Sequence, residues 1–584
     1  MDTNYPLLHP ELWGGLECTI NRIGDTWRDQ LAYANHYNRS DDLDKIAALG
    51  IKKLRYPILW DYHQKEEGQK IDWTFTKKKL ERIRELNIIP IVGLLHHGSG
   101  PIFTNLLDEN FSKKLAEYAG KVAAEFPWID YYTPVNEPLT TARFSGLYGH
   151  WYPHHQSDES FCRILINQLK GIVLSMKEIR KVNPFAKLIQ TEDLARIHST
   201  PRLRYQARFE NQRRWLTYDI LCGMVNEEHA LWDYFLSNGI NSEDLQYFTR
   251  NQCIPDVMGY NYYITSERFL DDNIKIYPDS NLGGNGHHTY VDVSAVRVLK
   301  PYGLKRLLRE AWKRFHLPIA LTEVHINCTR EEQLRWFKEA WDICIALNKD
   351  GLSLQGVTAW SLLGSYDWTS LLVEKENSYE SGVFDLTGNC LRPTAMTKLL
   401  KSVSKKGNFL HPVLNEKGWW HRSYPESKNI FMNNSAHPLL IFGCEGTLGK
   451  VFIQSCLKRS ICYKGLNRQE ADITDISQIK SAIHKYRPWA IINASGYVCV
   501  DGAEKDVEKC FRLNTYAPGE LATLCNKYGI QLMNFSTDLV FDGKKAKPYE
   551  ENDLVKPLNI YGSSKAEGER MVMSNFKDSL IIRT

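Results

Sequence analysis

Several features that would place a chain in a class at once are missing from this sequence. No apolar run approaches the ~20 residues needed to span a bilayer, so a membrane-spanning helix is not expected. The thirteen cysteines form no CxxC pair and no Cys/His cluster at zinc spacing, which excludes the common zinc and dithiol motifs. Scattered thiols fit reduced, buried cysteines in a cytosol better than a disulfide framework. The amino terminus, Met1-Asp2-Thr3-Asn4-Tyr5, has neither a basic segment nor an apolar one, so a cytoplasmic protein is expected. A net charge of +4 on 584 residues offers no basic surface for nucleic acid. Neither an internal repeat nor a low-complexity segment is present.

The length instead predicts two or more domains, since single cores rarely grow past ~250–300 residues. The 16 tryptophans and 30 tyrosines are compatible with sugar-stacking surfaces, although core packing accounts for much of this content. From residue 10 to about 400, short apolar runs alternate with helical patterns, the mark of βα repeats. Strands are expected at 12–17, 51–60, 88–95, ahead of Asn136-Glu137-Pro138, and at 186–191, 256–265, 319–323 and 356–363. Helices are expected at 41–49, 75–86, 111–125, 160–182, 304–315 and 330–348. Eight such units predict an α/β fold, a (β/α)₈ barrel over residues 1–404. An open doubly wound sheet is the alternative, but it would need a crevice motif this region lacks. Residues 405–437 read as a polar linker containing Pro412, Pro425 and Asn433-Asn434, with Trp419-Trp420 docking part of it on a neighbour. A second α/β pattern runs from 438 to 584.

The barrel region is organised around Thr133-Pro134-Val135-Asn136-Glu137-Pro138-Leu139. Pro138 cannot donate a ladder hydrogen bond, so the strand ends there and leaves Glu137 at its carboxyl-terminal lip, where parallel barrels do chemistry. With MGYNYY (258–263), ALTEVH (320–325) and AWSLLGSYDW (359–368), this stretch resembles family 1 glycoside hydrolases over about residues 10–400, with the motifs in family order. A retaining glycosidase needs a carboxylic acid beside the leaving oxygen and a carboxylate ~5–5.5 Å away. The resemblance assigns these roles to Glu137 (acid/base) and Glu323 (nucleophile). It also implies that Asn136 meets the sugar 2-hydroxyl, that Tyr262 orients the nucleophile, and that Asn21, Arg55, His96, Trp360, Asp367 and Trp368 bind the glycone. Arg55 lies in a strand where a charge needs a partner, and Glu323 is the carboxylate expected there. No cofactor and no metal is expected for the barrel.

The pattern departs from the family in places. The nucleophile loop reads Thr322-Glu323-Val324-His325 instead of Thr-Glu-Asn-Gly. After His96 comes His97-Gly98-Ser99-Gly100-Pro101, without the family's Trp-Asp pair. Asp367 is one methylene shorter than the usual glutamate, and Asn21 stands for a glutamine. His97 and His325 have no assigned role. A buried strand-end glutamate is also a common structural element, and Trp360 and Trp368 suit core packing as well as stacking.

The second constellation is Leu439-Leu440-Ile441-Phe442-Gly443-Cys444-Glu445-Gly446-Thr447-Leu448-Gly449, a strand, a glycine-rich turn and a helix start that suit a pyrophosphate. Tyr561 and Lys565 lie four apart on one helix face, where the ammonium lowers the phenol's pKa for proton transfer. With NASGYVCVDGAE (493–504), FRLNTYAPGELA (511–522), FSTDLVFDG (535–543) and PLNIYGSSKAEGE (557–569), the region 438–584 resembles extended short-chain dehydrogenases/reductases of the dTDP-4-dehydrorhamnose reductase type. That resemblance implies catalytic Thr537, Tyr561 and Lys565, and cofactor contacts from Gly443, Gly446, Gly449, Asp472, Ile473 and Asn514. Tyr463-Lys464-Gly465-Leu466-Asn467-Arg468 carries two cations and no acid before Glu470, which leans to NADPH over NADH, with Arg468 on the 2′-phosphate. The family continues into a sugar-nucleotide lobe that this chain does not contain; truncation is the expected reason, and a vestigial or partner-completed module is the alternative. The expected whole is a bifunctional carbohydrate-active protein acting on a glycoside and a sugar nucleotide, with neither nucleic acid nor membrane as partner. The alternative is a deoxysugar-nucleotide reductase, in full-length form, carrying a non-catalytic sugar-binding barrel.

Overall fold

The computed structural model describes residues 9–274, 277, 282–386, 390–421, 438–458 and 461–584. Two compact units result, one holding the barrel and the other the second α/β region. In the first, eight parallel strands close on themselves: β1 (Glu11–Gly15), β2 (Lys53–Pro57), β3 (Ile89–Gly93), β4 (Tyr131–Thr133), β5 (Lys187–Asp193), β6 (Val257–Asn261), β7 (Ile319–Val324) and β8 (Leu354–Ala359). Each pairs with its sequence neighbour, and β1 closes the ring against β8. Every expected strand is present with its ends shifted, so the closed barrel stands and the open sheet does not.

Alternation along the strands explains why the barrel is filled rather than hollow. Trp13, Ile91, Ile189 and Ala320, from β1, β3, β5 and β7, form one buried cluster, the layer of four that alternate strands contribute. The flanking helices bury their apolar faces against the outside of the barrel. The longest, Asp158–Val182, starts with Ser157 accepting a hydrogen bond from Ser160 N at 3.1 Å and carries Asp158 and Glu159 in its first turn. Arg180 and Lys181 occupy its last turn, so both ends complement the helix dipole. Between β5 and β6 the structure adds four helices, Arg204–Arg213, Leu216–Leu221, Trp232–Ser237 and Ser242–Arg250, which the periodicity of so short and polar a set did not announce.

The expected linker starts as ordered structure. Lys405 and Lys406 complete the helix Ala395–Lys406, which Gly407 ends in the left-handed conformation. Trp419 and Trp420 pack on the helix Arg330–Lys349: Trp420 Nε1 donates to Glu339 at 2.9 Å, and its ring meets Trp336 edge-on. Pro425 and Asn433-Asn434 lie outside the described residues.

The second unit carries five parallel strands, β9 (Leu439–Phe442), β10 (Tyr463–Leu466), β11 (Ala490–Asn493), β12 (Gln531–Ser536) and β13 (Leu580–Arg583), in the order β10-β9-β11-β12-β13. The strand order reverses beside β9, so a crevice opens at the carboxyl ends of β9 and β11, as in doubly wound nucleotide-binding sheets. None of the thirteen cysteines is in a disulfide. Among the described residues no helix is long and apolar enough to cross a membrane, and no group of His, Cys, Asp or Glu could hold a metal ion.

Candidate active site

Ladder geometry brings the two glutamates to one end of the barrel. Beyond β4, Asn136 bridges to His96 on one side and Thr191 on the other, continuing the sheet to the lip. Glu137 then adopts a left-handed conformation (φ 45°, ψ 62°) and begins the helix Pro138–Ala142. A non-glycine residue in that region is strained, and such strain collects at functional sites. Glu323 sits in β7 in register with Asn261 of β6. Both carboxyls are deeply buried, Glu137 6% and Glu323 4% exposed.

Their surroundings differ. Glu323 Oε1 accepts from Arg55 Nη1 at 2.9 Å and Oε2 from the Tyr263 hydroxyl at 2.5 Å. Burial raises its pKa, while Arg55, Tyr263 and Asn261 oppose the rise. Among the described residues Glu137 has only Asn261 Nδ2 as a hydrogen-bond donor to its carboxyl, to Oε1 at 2.6 Å. Burial, reinforced by the fields of Glu323, Glu192 and Asp193, pushes its carboxyl well above the ordinary range. Thr322 Oγ1 fixes the Asn261 amide by donating to its Oδ1 at 2.7 Å.

Most residues expected around the sugar converge here. Arg55 has the partner expected for it and also donates to Asn136 Oδ1 at 2.6 Å. Asn136 Oδ1 further accepts from Thr191, and its Nδ2 faces both His96 Nε2 and His97 Nε2 at 3.3 Å, so this amide is fully engaged. Trp360 lies parallel to His96 at 5.7 Å with the Arg55 guanidinium 4.8 Å above its ring. Asn21 donates to His97 O at 3.3 Å, and its buried Oδ1 has no partner. Trp368 meets His97 edge-on at 5.7 Å, and its buried Nε1 has none either. Asp367 is held in a left-handed turn and spends Oδ1 on Ser378 N at 2.7 Å.

One expectation is corrected. Tyr262 does not orient the nucleophile: its hydroxyl donates to Glu267 at 3.1 Å and its ring packs on Trp336. Successive residues of an extended chain point to opposite faces, so Asn261 and Tyr263 point inward and Tyr262 outward. Tyr263, Asn261 and His97 are therefore site residues that motif reading passed over. The two-residue period of MGYNYY was the available signal for the first two. Nothing in the sequence marked His97.

In the second unit the glycine-rich turn forms a cradle. Gly443 has φ 74°, a Cβ there would come within 2.8 Å of Ser495 N, and a Cβ on Gly449 would lie 2.2 Å from Gly443 O. The backbone is thus bare where a pyrophosphate would approach the helix Thr447–Lys458. Asn514 Oδ1 accepts from Tyr497 N at 2.9 Å and borders the crevice at Gly496. Asp472 Oδ2 accepts from Arg468 Nε at 2.9 Å, and the Arg468 side chain is otherwise exposed. Ile473 is buried in the core under the sheet, so only its backbone can line the crevice. Tyr561 and Lys565 share the helix Ile560–Asn575 as expected. The expected lowering of the Tyr561 pKa is not found: burial raises it, with Thr537 opposing. Lys565 turns its Nζ to Phe535 O at 3.1 Å, and burial lowers its pKa to about 8.

Residues 17–375 match the model of glycosyl hydrolase family 1, and residues 437–584 match the RmlD substrate binding domain. The dTDP-4-dehydrorhamnose reductase of Aggregatibacter actinomycetemcomitans is 37% identical over 148 residues, 25% of this chain and 50% of that protein. The Streptomyces griseus protein of the same name is 34% identical over 146 residues, 25% and 48% of the two chains. The chain therefore spans about half the length of the curated relatives it matches. Among solved structures, the β-glucosidase from Thermotoga maritima in complex with deoxynojirimycin covers 70% of this chain and 99% of its own, with a TM-score of 0.57 and 16% identity. That likeness shows the barrel fold.

Proposed function

Since this chain belongs to glycosyl hydrolase family 1, with a reductase-like domain following the barrel, we propose that the barrel is a retaining O-glycosidase with Glu137 as acid/base and Glu323 as nucleophile. The observation that carries this reading is the unequal setting of the two carboxyls. Glu137, without a bonded cation and in the field of three other carboxylates, is suited to hold a proton at neutral pH. Glu323, against a guanidinium and a phenol, is suited to be the anion that attacks. Glu137 protonates the leaving oxygen as Glu323 bonds to the anomeric carbon. Glu137 then takes a proton from water, which displaces Glu323. Asn21 Oδ1 and Trp368 Nε1, buried and unpartnered, are satisfied by sugar hydroxyls, and Arg55, His96, Asn136, Trp360 and Asp367 complete the glycone wall.

The second unit, residues 438–584, binds NADPH (or NADH) across Gly443, Gly446 and Gly449, with Asp472, Ile473 backbone and Asn514 beside it and Arg468 free to meet a 2′-phosphate. Bound there, the dinucleotide supplies a hydride for a sugar-nucleotide ketone. Tyr561 and Thr537 hold and protonate the substrate oxygen, and Lys565 positions Tyr561. The barrel domain takes in the helix Ala395–Lys406 and the Trp419-Trp420 segment packed on the helix Arg330–Lys349, and the chain from there to residue 437 leads into the second unit. Thirteen cysteines without a disulfide suit a cytosol.

The test is turnover of a panel of 2,4-dinitrophenyl β-glycosides by wild type and Glu323→Ala. Hydrolysis of at least one glycoside, falling on the order of 10⁴-fold in the variant, is the expected result. Wild-type inertness across the panel would instead favour a sugar-binding barrel attached to the reductase.

A further inference from the structure

Among the described residues Arg28 is the one buried arginine with no ion pair. Arg55, Arg213 and Arg214 are buried as deeply, and they reach Glu323, Glu210 and Glu310 at 2.9, 3.2 and 2.7 Å. Arg28 is 7% exposed, and its Nη2 donates to Val373 O at 3.0 Å. Its Nε and Nη1 are buried with no hydrogen-bond partner. A guanidinium can only donate, so Nε–H and both Nη1 hydrogens lack an acceptor. A buried charge left this way is costly, which points to an anion that arrives with the substrate.

The position of Arg28 says which part of the substrate carries that anion. It stands directly opposite Asn21 in the hairpin of Ile20–Ile23 and Thr26–Asp29, so the two side chains leave the same face. On that face Asn21 donates to His97 O, and its own Oδ1 is unpartnered. The hairpin is also tied to the turn that carries Asp367 and Trp368. Gln30 Nε2 donates to Tyr366 O, and Tyr366 N donates to Gln30 Oε1, both at 2.9 Å. Asp367, the carboxylate of that turn, accepts from Ser378 N at 2.7 Å and forms no pair with Arg28. Neither catalytic carboxyl is bonded to Arg28.

We propose that the glycone pocket takes an anionic sugar, one bearing a carboxylate or a phosphate away from the anomeric carbon, with Arg28 as its counter-ion. Arg28 donates through Nε–H and Nη1–H to the anion's oxygens, while Asn21 and Trp368 meet neighbouring hydroxyls. Arg28 takes no part in bond cleavage. This inference rests on the glycosidase reading above and names the substrate class of that site.

The test compares 4-nitrophenyl β-glucoside and β-galactoside with their 6-phosphates and with the matching glucuronide and galacturonide. Wild type should prefer an anionic glycone over its neutral parent by at least about 10-fold in kcat/KM, and the better anion identifies carboxylate or phosphate. Arg28→Met should cut that anionic-to-neutral ratio about 100-fold, with Arg28→Lys recovering part of it. A neutral glycone preferred by wild type, or a ratio that Arg28→Met leaves unchanged, would overturn the proposal. If wild type hydrolyses none of the series, the glycosidase reading fails, and calorimetric titration with glucuronate, galacturonate and the hexose 6-phosphates still decides the site. Binding at least about 10-fold tighter than that of glucose and galactose, and lost in Arg28→Met, would uphold it. Equal or absent binding would refute it. Should Arg28→Met fail to fold, the wild-type preference and Arg28→Lys decide.

Discussion

Glu17, just beyond β1, is a further carboxyl in the field of Glu323 and Arg55 and belongs to no motif. It is 5% exposed, and its Oε1 accepts from Thr19 N at 2.9 Å and Thr19 Oγ1 at 2.6 Å. Burial, despite those bonds, raises its pKa to about 7. A folded-state pKa above the unfolded one means that its contribution is full below the unfolded pKa and is lost as pH rises through about 7. Thermal unfolding of the barrel should therefore show stability falling between about pH 4.5 and 7, and Glu17→Gln should flatten that slope by on the order of 3 kcal/mol. An unchanged slope would place Glu17 in an open environment. At the same scale, the tyrosine pair separates two roles. Tyr263→Phe removes the hydroxyl bonded to the nucleophile and should lower kcat about 10- to 100-fold with little change in unfolding temperature. Tyr262→Phe should cost about 1 kcal/mol of stability through the lost bond to Glu267 and leave kcat near wild type. Reversed effects would restore the original assignment of Tyr262.

Among the elements, what was legible followed from local patterns, and what was not followed from long-range geometry. Strand β7 shows the first case, since it opens on the apolar run Ile319-Ala320-Leu321 and is buried along its whole length, as a strand covered on both faces requires. The outward turn of Tyr262 depended on where β6 ends, at Asn261, and strand ends are set by partners far away in sequence. His97 is the extreme case, because Asn136, Thr141, Trp151 and Trp368 meet it only once the barrel closes. The glycine-rich turn allows a sharper contrast. A Cβ at Gly449 would stand 2.2 Å from Gly443 O, whereas at Gly446 the nearest atom, also Gly443 O, is 3.3 Å away. Gly449→Ala should thus weaken NADPH binding, read by cofactor fluorescence, at least about 30-fold, while Gly446→Ala costs under about 10-fold. Equal tolerance at both positions would mean that the turn does not cradle the dinucleotide.

At the scale of the molecule, two sugar-related folds share one chain, and the question is whether their activities depend on each other. Each unit has its own buried core: the barrel's is continuous through its helices, and the second sheet is covered by residues such as Leu440, Ile491, Leu521 and Val572. The proposed chemistries are also separately equipped, with Glu137 and Glu323 both supplied by barrel strands and loops, and Gly449, Tyr561 and Lys565 all from the second unit. Separate cores, and constellations each drawn from one unit, argue for energetic independence, because effects of sites that share no partners add within about 0.5 kcal/mol. Glu323→Ala should then abolish glycoside hydrolysis and leave NADPH affinity unchanged, and Gly449→Ala should do the reverse. The double variant should show the two single effects without an extra term. A cofactor affinity that shifts more than about 3-fold when Glu323 is changed, or a hydrolysis rate that responds to saturating NADPH, would reveal coupling of about 0.7 kcal/mol or more. The fusion would then be a regulated enzyme, and not two activities held together by a linker.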